Sequence, residues 1–143
     1  MDIINKAIQF GKEKHKGQLD DNGEDYFSVH CLSVFNILKQ IVKDDDALLA
    51  ASLLHDVLED TETTYDELSR ELGKEIADLV NEVTHEGQRD HKGYFFPRLK
   101  SKRAIIIKFA DRLSNLSRID PWAIERQNHY IKKSRFWKMT EKE

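Results

Sequence analysis

The chain has one cysteine, Cys31, and two prolines, at 97 and 121, among its 143 residues. A single cysteine excludes an intramolecular disulfide and any cysteine-rich zinc site, so Cys31 is expected to pack as a small apolar residue. Both prolines fall between periodic segments, where they punctuate helices. A basic excess is also missing: 23 Lys and Arg stand against 26 Asp and Glu, a formal net charge of −3, so a nonspecific nucleic-acid binder is not indicated. No apolar run approaches the ~20 residues of a membrane span, and Met1-Asp2-Ile3-Ile4-Asn5-Lys6 holds no signal-peptide core. The expectation is a cytoplasmic protein that partners neither nucleic acid nor membrane. Without repeats, low-complexity tracts or a long linker, residues 1–143 read as one domain large enough to bury a core.

What is present is helical periodicity. Asp2 is placed to cap a first helix whose apolar face is Ile3, Ile4, Ala7 and Ile8 and which ends near Lys14-His15-Lys16-Gly17. Ser28 is the expected cap of a second helix carrying Val34, Phe35, Ile37, Leu38 and Ile41. Asp44-Asp45-Asp46 opens a third, where acids suit the helix dipole. Thr64 and Glu67 have capping-box spacing for a short fourth helix ending at Gly73. Ile76, Leu79, Val80 and Val83 mark a fifth. His85 to Pro97 reads as an exposed loop, followed by helices over 98–118 and 122–138. Ile105-Ile106-Ile107 is β-branched, yet Ile105, Phe109, Leu113 and Leu116 recur at helical spacing and no other strand candidate exists to pair with it. The fold class is therefore all-α, with about seven helices.

The third helix runs into Leu53-Leu54-His55-Asp56-Val57-Leu58-Glu59-Asp60-Thr61, which sets four ionisable groups in an otherwise buried run. An unpartnered buried carboxylate costs several kcal/mol. On a continuous helix His55 would lie above Glu59 and Asp56 above Asp60, the two ladders flanking one groove. A cation in that groove accounts for all four; a helix end whose acids face water is the competing reading. Asp111 is a second carboxylate in apolar sequence, with Asn115 four residues on and with Lys108 and Arg112 expected to project elsewhere. His30 follows Tyr26-Phe27 at the start of the second helix. Together His30, His55, Asp56 and Asp111 make a two-imidazole, two-carboxylate set, which suits Mn, Fe, Co, Ni or Zn better than the all-oxygen shells of Ca and Mg. Glu59 and Asp60 are then the nearest groups to take or return a proton. The basic run from Arg98 to Arg118, including Lys108 and Arg112, would attract a polyphosphate.

The ordered set resembles the HD-domain metal-dependent phosphohydrolases, and more closely the hydrolase domain of RelA/SpoT-type alarmone enzymes and their small single-domain relatives. The resemblance rests on His15-Lys16-Gly17-Gln18, on Gly23 to His30, on Ala51 to Thr61, on Leu79 to Thr84 and on Ile107 to Leu116. It implies a compact HD-domain helical bundle and a Mn²⁺ held by His30, His55, Asp56 and Asp111. It also implies that Glu59 and Asp60 position and activate water for hydrolysis of the 3′-pyrophosphate of (p)ppGpp, and that Asn115, with Tyr26 beside it, binds the nucleotide. No synthetase-like segment is expected within this length.

One stretch departs from the family pattern. Relatives acting on guanosine tetraphosphate usually carry an Arg-Lys pair where this sequence has Asp20-Asp21, and Pro where it has Asp25. Acids there would repel a highly charged nucleotide, so another phosphorylated nucleotide is an alternative substrate, and a non-catalytic, metal-stabilised nucleotide-binding module is a further alternative. Tyr130, Phe136 and Trp137 leave a core edge and a homo-oligomer contact both open.

Overall fold

The computed structural model describes residues 2–84, 99, 101–118 and 122–134; the expected loop from His85 to Pro97, Phe136 and Trp137 lie outside them. The described elements are α1 (Ile3–Lys14), a π-helical turn (Phe27–Cys31) running into α2 (Leu32–Lys39), α3 (Asp46–Leu53), the single turn α4 (Val57–Asp60), α5 (Tyr65–Leu72), α6 (Lys74–Val83), α7 (Lys102–Leu116) and α8 (Ile124–Ser134). Among the described residues there is no strand; a lone antiparallel bridge joins Leu19 to Asp25. The all-α reading is borne out. No described helix is long and apolar enough to cross a membrane.

Capping explains most boundaries. Asp2 accepts from the Asn5 amide, Asp45 from the Leu48 amide and Thr64 from the Glu67 amide, each satisfying an amide that the first turn leaves unbonded. Ser101 starts α7 in the same way, and its own amide is held by Glu82 at 2.7 Å. Ser28 is not the cap expected of it. Asp25 takes that place, its carboxylate accepting from both the amide and the hydroxyl of Ser28, and these bonds hold its pKa below the usual value.

Helix α3 is the centre of the packing. It is buried from Leu48 to Leu53 and packs on α1, α2 and α6, while α7 closes against α2 and α6. At the α1 crossing, Gly11 gives the Phe27 ring its space: a Cβ there would lie 2.3 Å from a ring carbon. Cys31 is fully buried in the apolar core, as expected.

One expectation about helix geometry is corrected. The third helix does not continue through the His55-Asp56 motif. It stops at Leu54 (φ −112°, ψ 10°) and restarts after Asp56 (φ −104°, ψ 0°). The cause is local competition for carbonyls: the Ser52 hydroxyl bonds Leu49 O at 2.6 Å and His55 Nδ1 bonds Ser52 O at 2.7 Å, which diverts the last turn from its own ladder. In α7 the helical reading is borne out. The spacing of Ile105, Phe109, Leu113 and Leu116 signals a helix but not its buried face, since Phe109 and Leu113 are 40% and 55% exposed. The buried face instead carries Ala104, Ile107, Lys108, Asp111 and Ser114, and polar residues on an inward face defeat a pattern built on hydrophobicity.

Candidate metal centre and adjoining cavity

Two departures from regular helix, together with the inward face of α7, aim side chains at one point. The π turn, closed by the Leu32 amide on Phe27 O, adds a residue to the turn that carries His30; such insertions are frequent at functional sites. The break at Leu54 to Asp56 turns His55 and Asp56 toward the same place. The inward polar face of α7 supplies Asp111. One donor atom from each of His30, His55, Asp56 and Asp111 lies within 4.8 Å of the other three.

The spacing is that of ligands sharing an ion. His30 Nε2 is 2.9 Å from Asp111 Oδ1, 3.1 Å from His55 Nε2 and 3.5 Å from Asp56 Oδ2. His55 Nε2 is 3.0 Å from Asp56 Oδ2 and 3.4 Å from Asp111 Oδ1. Ligands about 2.1 Å from one ion are separated by roughly 3.0 to 3.4 Å when they occupy neighbouring positions. The four residues therefore fit a divalent cation. The His55 Nδ1 contact with Ser52 O supports the fit, because a carbonyl only accepts and so leaves Nε2 as the lone-pair nitrogen.

Both carboxylates of the cluster stay ionised despite burial. Burial alone would raise the carboxyl pKa of Asp56, but the charge of His55 and the bonds from His30 and His55 hold it well below the usual range. Burial opposes ionisation of Asp111 too, and Lys108 with the two histidines overcomes it. Burial disfavours protonation of His30 and His55, yet Asp111 and Asp56 raise both. Lys108 does not project away from Asp111 as expected: its Nζ is 3.4 Å from Asp111 Oδ2, and both side chains are buried.

Tyr26 bonds Asp56 through its hydroxyl, and burial together with the Asp56 charge drives the phenol pKa strongly upward, so it stays a donor. Asn115 donates to Tyr130 at 2.6 Å and approaches Asp111 at 3.5 Å. Arg112 turns to Tyr130, its Nη1 3.4 Å from that hydroxyl. Glu59 and Asp60 lie exposed beyond the cluster. Asp60 accepts from Gln18 at 3.2 Å; partial burial and the neighbouring Asp56 charge nevertheless raise its pKa.

Tyr26 and Asn115 also line a cavity of about 440 Å³, with Gln18, Asp20, Asp21, Arg118, Trp122, Arg126 and Tyr130. Lys108 and Arg112 do not line it. The acids of the departing loop are not loose charges. Asp20 accepts from the amides of Asn22 and Glu24, shaping the turn that Gly23 completes at φ 79°, and pairs with Arg118 at 2.9 Å. Asp21 pairs with Arg126, which covers the Trp122 ring 3.8 Å from its centroid. The repulsion expected of Asp20-Asp21 is thus offset by two guanidiniums. Sequence reasoning missed Gln18, Trp122 and Arg126 as cavity residues and Arg118 as a contact of His30; an acid pair facing later arginines was the available signal.

A helical domain bringing His, His-Asp and a distant Asp onto one cation-sized point defines a class of metal-binding domain. A family model described as HD domain matches residues 7–92, and the chain belongs to that family. It is 34% identical over 139 residues to the guanosine-3′,5′-bis(diphosphate) 3′-pyrophosphohydrolase of Aquifex aeolicus, covering 92% of this chain and 20% of that protein. With the same-named protein of Spiroplasma citri it shares 39% over 142 residues, 92% of this chain and 19% of the other. With the bifunctional (p)ppGpp synthase/hydrolase SpoT of Escherichia coli it shares 33% over 124 residues, 79% and 17%. The chain thus spans about a fifth of the length of these curated relatives. A solved structure reported as a metazoan ortholog of SpoT that hydrolyzes ppGpp superposes with a TM-score of 0.79 at 28% identity, covering 94% of this chain and 82% of that one.

Proposed function

We propose that this chain is a metal-dependent phosphohydrolase that releases pyrophosphate from the 3′ position of (p)ppGpp, leaving GDP or GTP. The observation that carries the reading is the four-donor cluster of His30, His55, Asp56 and Asp111 beside a cavity lined by aromatic rings and guanidiniums. The names of the relatives at 33–39% identity, and the ppGpp hydrolysis reported for the structural neighbour, support the substrate.

His30, His55, Asp56 and Asp111 would hold the ion, Mn²⁺ in this proposal, which when bound supplies water of lowered pKa and polarises a phosphoryl oxygen. The chain does the rest. Tyr26 donates to Asp56 and fixes the orientation of that carboxylate. Lys108 neutralises the outer oxygen of Asp111. Asp60, whose pKa is raised, is suited to carry a proton from the attacking water to the departing ribose 3′ oxygen, with Glu59 one residue before it. Asn115, at the border of cluster and cavity, would contact the nucleotide.

A second reading, a less charged phosphorylated nucleotide as substrate, is favoured by one observation: Asp20 and Asp21 each engage a cavity guanidinium, leaving less positive charge for a tetraphosphate. Turnover of ppGpp and a nucleotide panel with Mn²⁺, measuring phosphate and pyrophosphate separately, tests both. Pyrophosphate release from ppGpp above all others is expected; turnover of another nucleotide with ppGpp inert would transfer the assignment. Glu59→Gln should keep the metal and lose most turnover, whereas a non-catalytic module would bind metal and turn over nothing.

A further inference from the structure

His15 is a buried histidine that the metal cluster does not use. It caps the end of α1, 1% exposed, with its ring tilted against those of Tyr26 and Phe27 at centroid distances of 5.5 and 6.2 Å. Its Nδ1 lies 2.7 Å from Gln18 Oε1, and Gln18 Nε2 donates to Asp60 Oδ2 at 3.2 Å. The three side chains form one line, from the core at the end of α1 to the acid that follows the His55-Asp56 motif.

Chemistry fixes the direction of each bond. An ionised carboxylate only accepts, so Gln18 must turn its amide nitrogen to Asp60 and its carbonyl to His15. Nδ1 of His15 therefore carries a ring proton and donates it. A proton on Nε2 would be buried without an acceptor, because that nitrogen has no hydrogen-bond partner among the described residues. The backbone clamps the middle of the line. Gly17 at φ 86° turns the chain so that the Gln18 amide bonds His15 O, and Gln18 O accepts from the Tyr26 amide, both at 2.9 Å. Gln18 is thus tied to the residue whose hydroxyl bonds Asp56. It lines both the cavity beside the cluster and a second one, of about 720 Å³, that Asp60 lines; His15 lines neither.

Resting on the reading of Asp60 as the proton carrier, we infer that His15 and Gln18 are positioning residues for that acid. His15 sets which end of the Gln18 amide faces Asp60. A flipped amide would set N–H against N–H at one end and oxygen against carboxylate at the other. Gln18 so held engages Oδ2 of Asp60, and Oδ1 is the oxygen left to carry the proton. His15 touches no substrate and acts only through Gln18.

The test compares two replacements of His15 in the Mn²⁺-loaded chain. His15→Asn keeps a donor at the place of Nδ1 and gives up the ring; His15→Phe keeps a ring and gives up the donor. The relay predicts a kcat for ppGpp about tenfold or more lower in His15→Phe, with KM and zinc affinity unchanged, and most of the loss recovered in His15→Asn. A packing role predicts the opposite order, because Phe fills the site and Asn leaves a cavity. Gln18→Leu, at a half-buried position, should lose as much kcat, and adding His15→Phe to it should cost nothing more. Parental kcat in His15→Phe or in Gln18→Leu overturns the relay, as does a folded His15→Asn no faster than His15→Phe. Should His15→Asn fail to fold, the Gln18→Leu pair decides. Independently of turnover, the Asp60 carboxyl-carbon NMR signal of the metal-free chain should move in His15→Phe and stay near its parental place in His15→Asn. A signal indifferent to residue 15 overturns the relay. A signal that moves in a chain turning over no nucleotide overturns the enzymatic reading alone.

Discussion

Gly11→Ala tests the link between core packing and site. In an exposed helix the change would stabilise by about 1 kcal/mol, because alanine is the better helix former. Here the added methyl would lie 2.3 Å from one Phe27 ring carbon and 3.1 Å from two others. Phe27 is 1% exposed and walled in by core residues, so either the ring or α1 must move by about an ångström in a close-packed interior. Overpacking of this kind costs typically 1–3 kcal/mol, and this overlap is severe. The overlap outweighs propensity, and a net loss of about 1–2 kcal/mol is expected, a fall in Tm of roughly 3–10 °C for a domain of this size. Phe27 opens the π turn that carries His30, so metal affinity should fall with stability. Urea unfolding and zinc titration measure the two effects, and Gly11→Ala combined with Phe27→Leu should recover part of both. A Gly11→Ala variant more stable than the parent would mean that propensity, not the Phe27 overlap, governs this position.

Four further outcomes are expected. Chelation should lower the Tm of metal-loaded protein by roughly 10 °C, since a ligand at a hundred times its Kd contributes about 2.7 kcal/mol; a Tm indifferent to chelator would rule out a metal that supports the fold. His55→Ala should abolish both stoichiometric metal binding and turnover, read by elemental analysis and phosphate release. Tyr26→Phe removes the donor that orients Asp56 and should reduce metal affinity or activity by about tenfold or more, without loss of helicity by circular dichroism. Asp45 accepts from Arg103 as well as capping α3, and the Arg103 bond holds its carboxyl below its ordinary value of 3.8 against the opposing effect of burial. Because the folded-state pKa is the lower one, the stabilisation is present above pH 3.8 and is lost as pH falls through the folded value. Asp45→Asn keeps a good cap, so it should cost about 0.5–1 kcal/mol at neutral pH. The gap to the parent should close in acid unfolding below that range.

The amino-acid sequence by itself determined the all-α class, the capped starts at Asp2, Asp45 and Thr64, and the membership of the donor set. These properties are local: caps, periodicity and residue types that cannot be buried without partners. The family resemblance on the same residues supplied the expected bundle, the metal and the substrate class. Only the tertiary structure decided how the donors converge. The His55-Asp56 pair reaches its place through a helix break that hydrophobic periodicity does not register, because the Ser52 and His55 side chains compete for backbone carbonyls. Asp111 arrives on a buried helix face that also carries Lys108 and Ser114, while Phe109 and Leu113 face outward, an arrangement that hydrophobic spacing does not register. The acids at 20 and 21 read as repulsive from their neighbours alone, and their charge is offset by arginines about a hundred residues away. The surroundings of His30 are likewise set by residues far along the chain, Ser114 Oγ lying 3.2 Å and Arg118 Nη2 3.0 Å from its Nδ1.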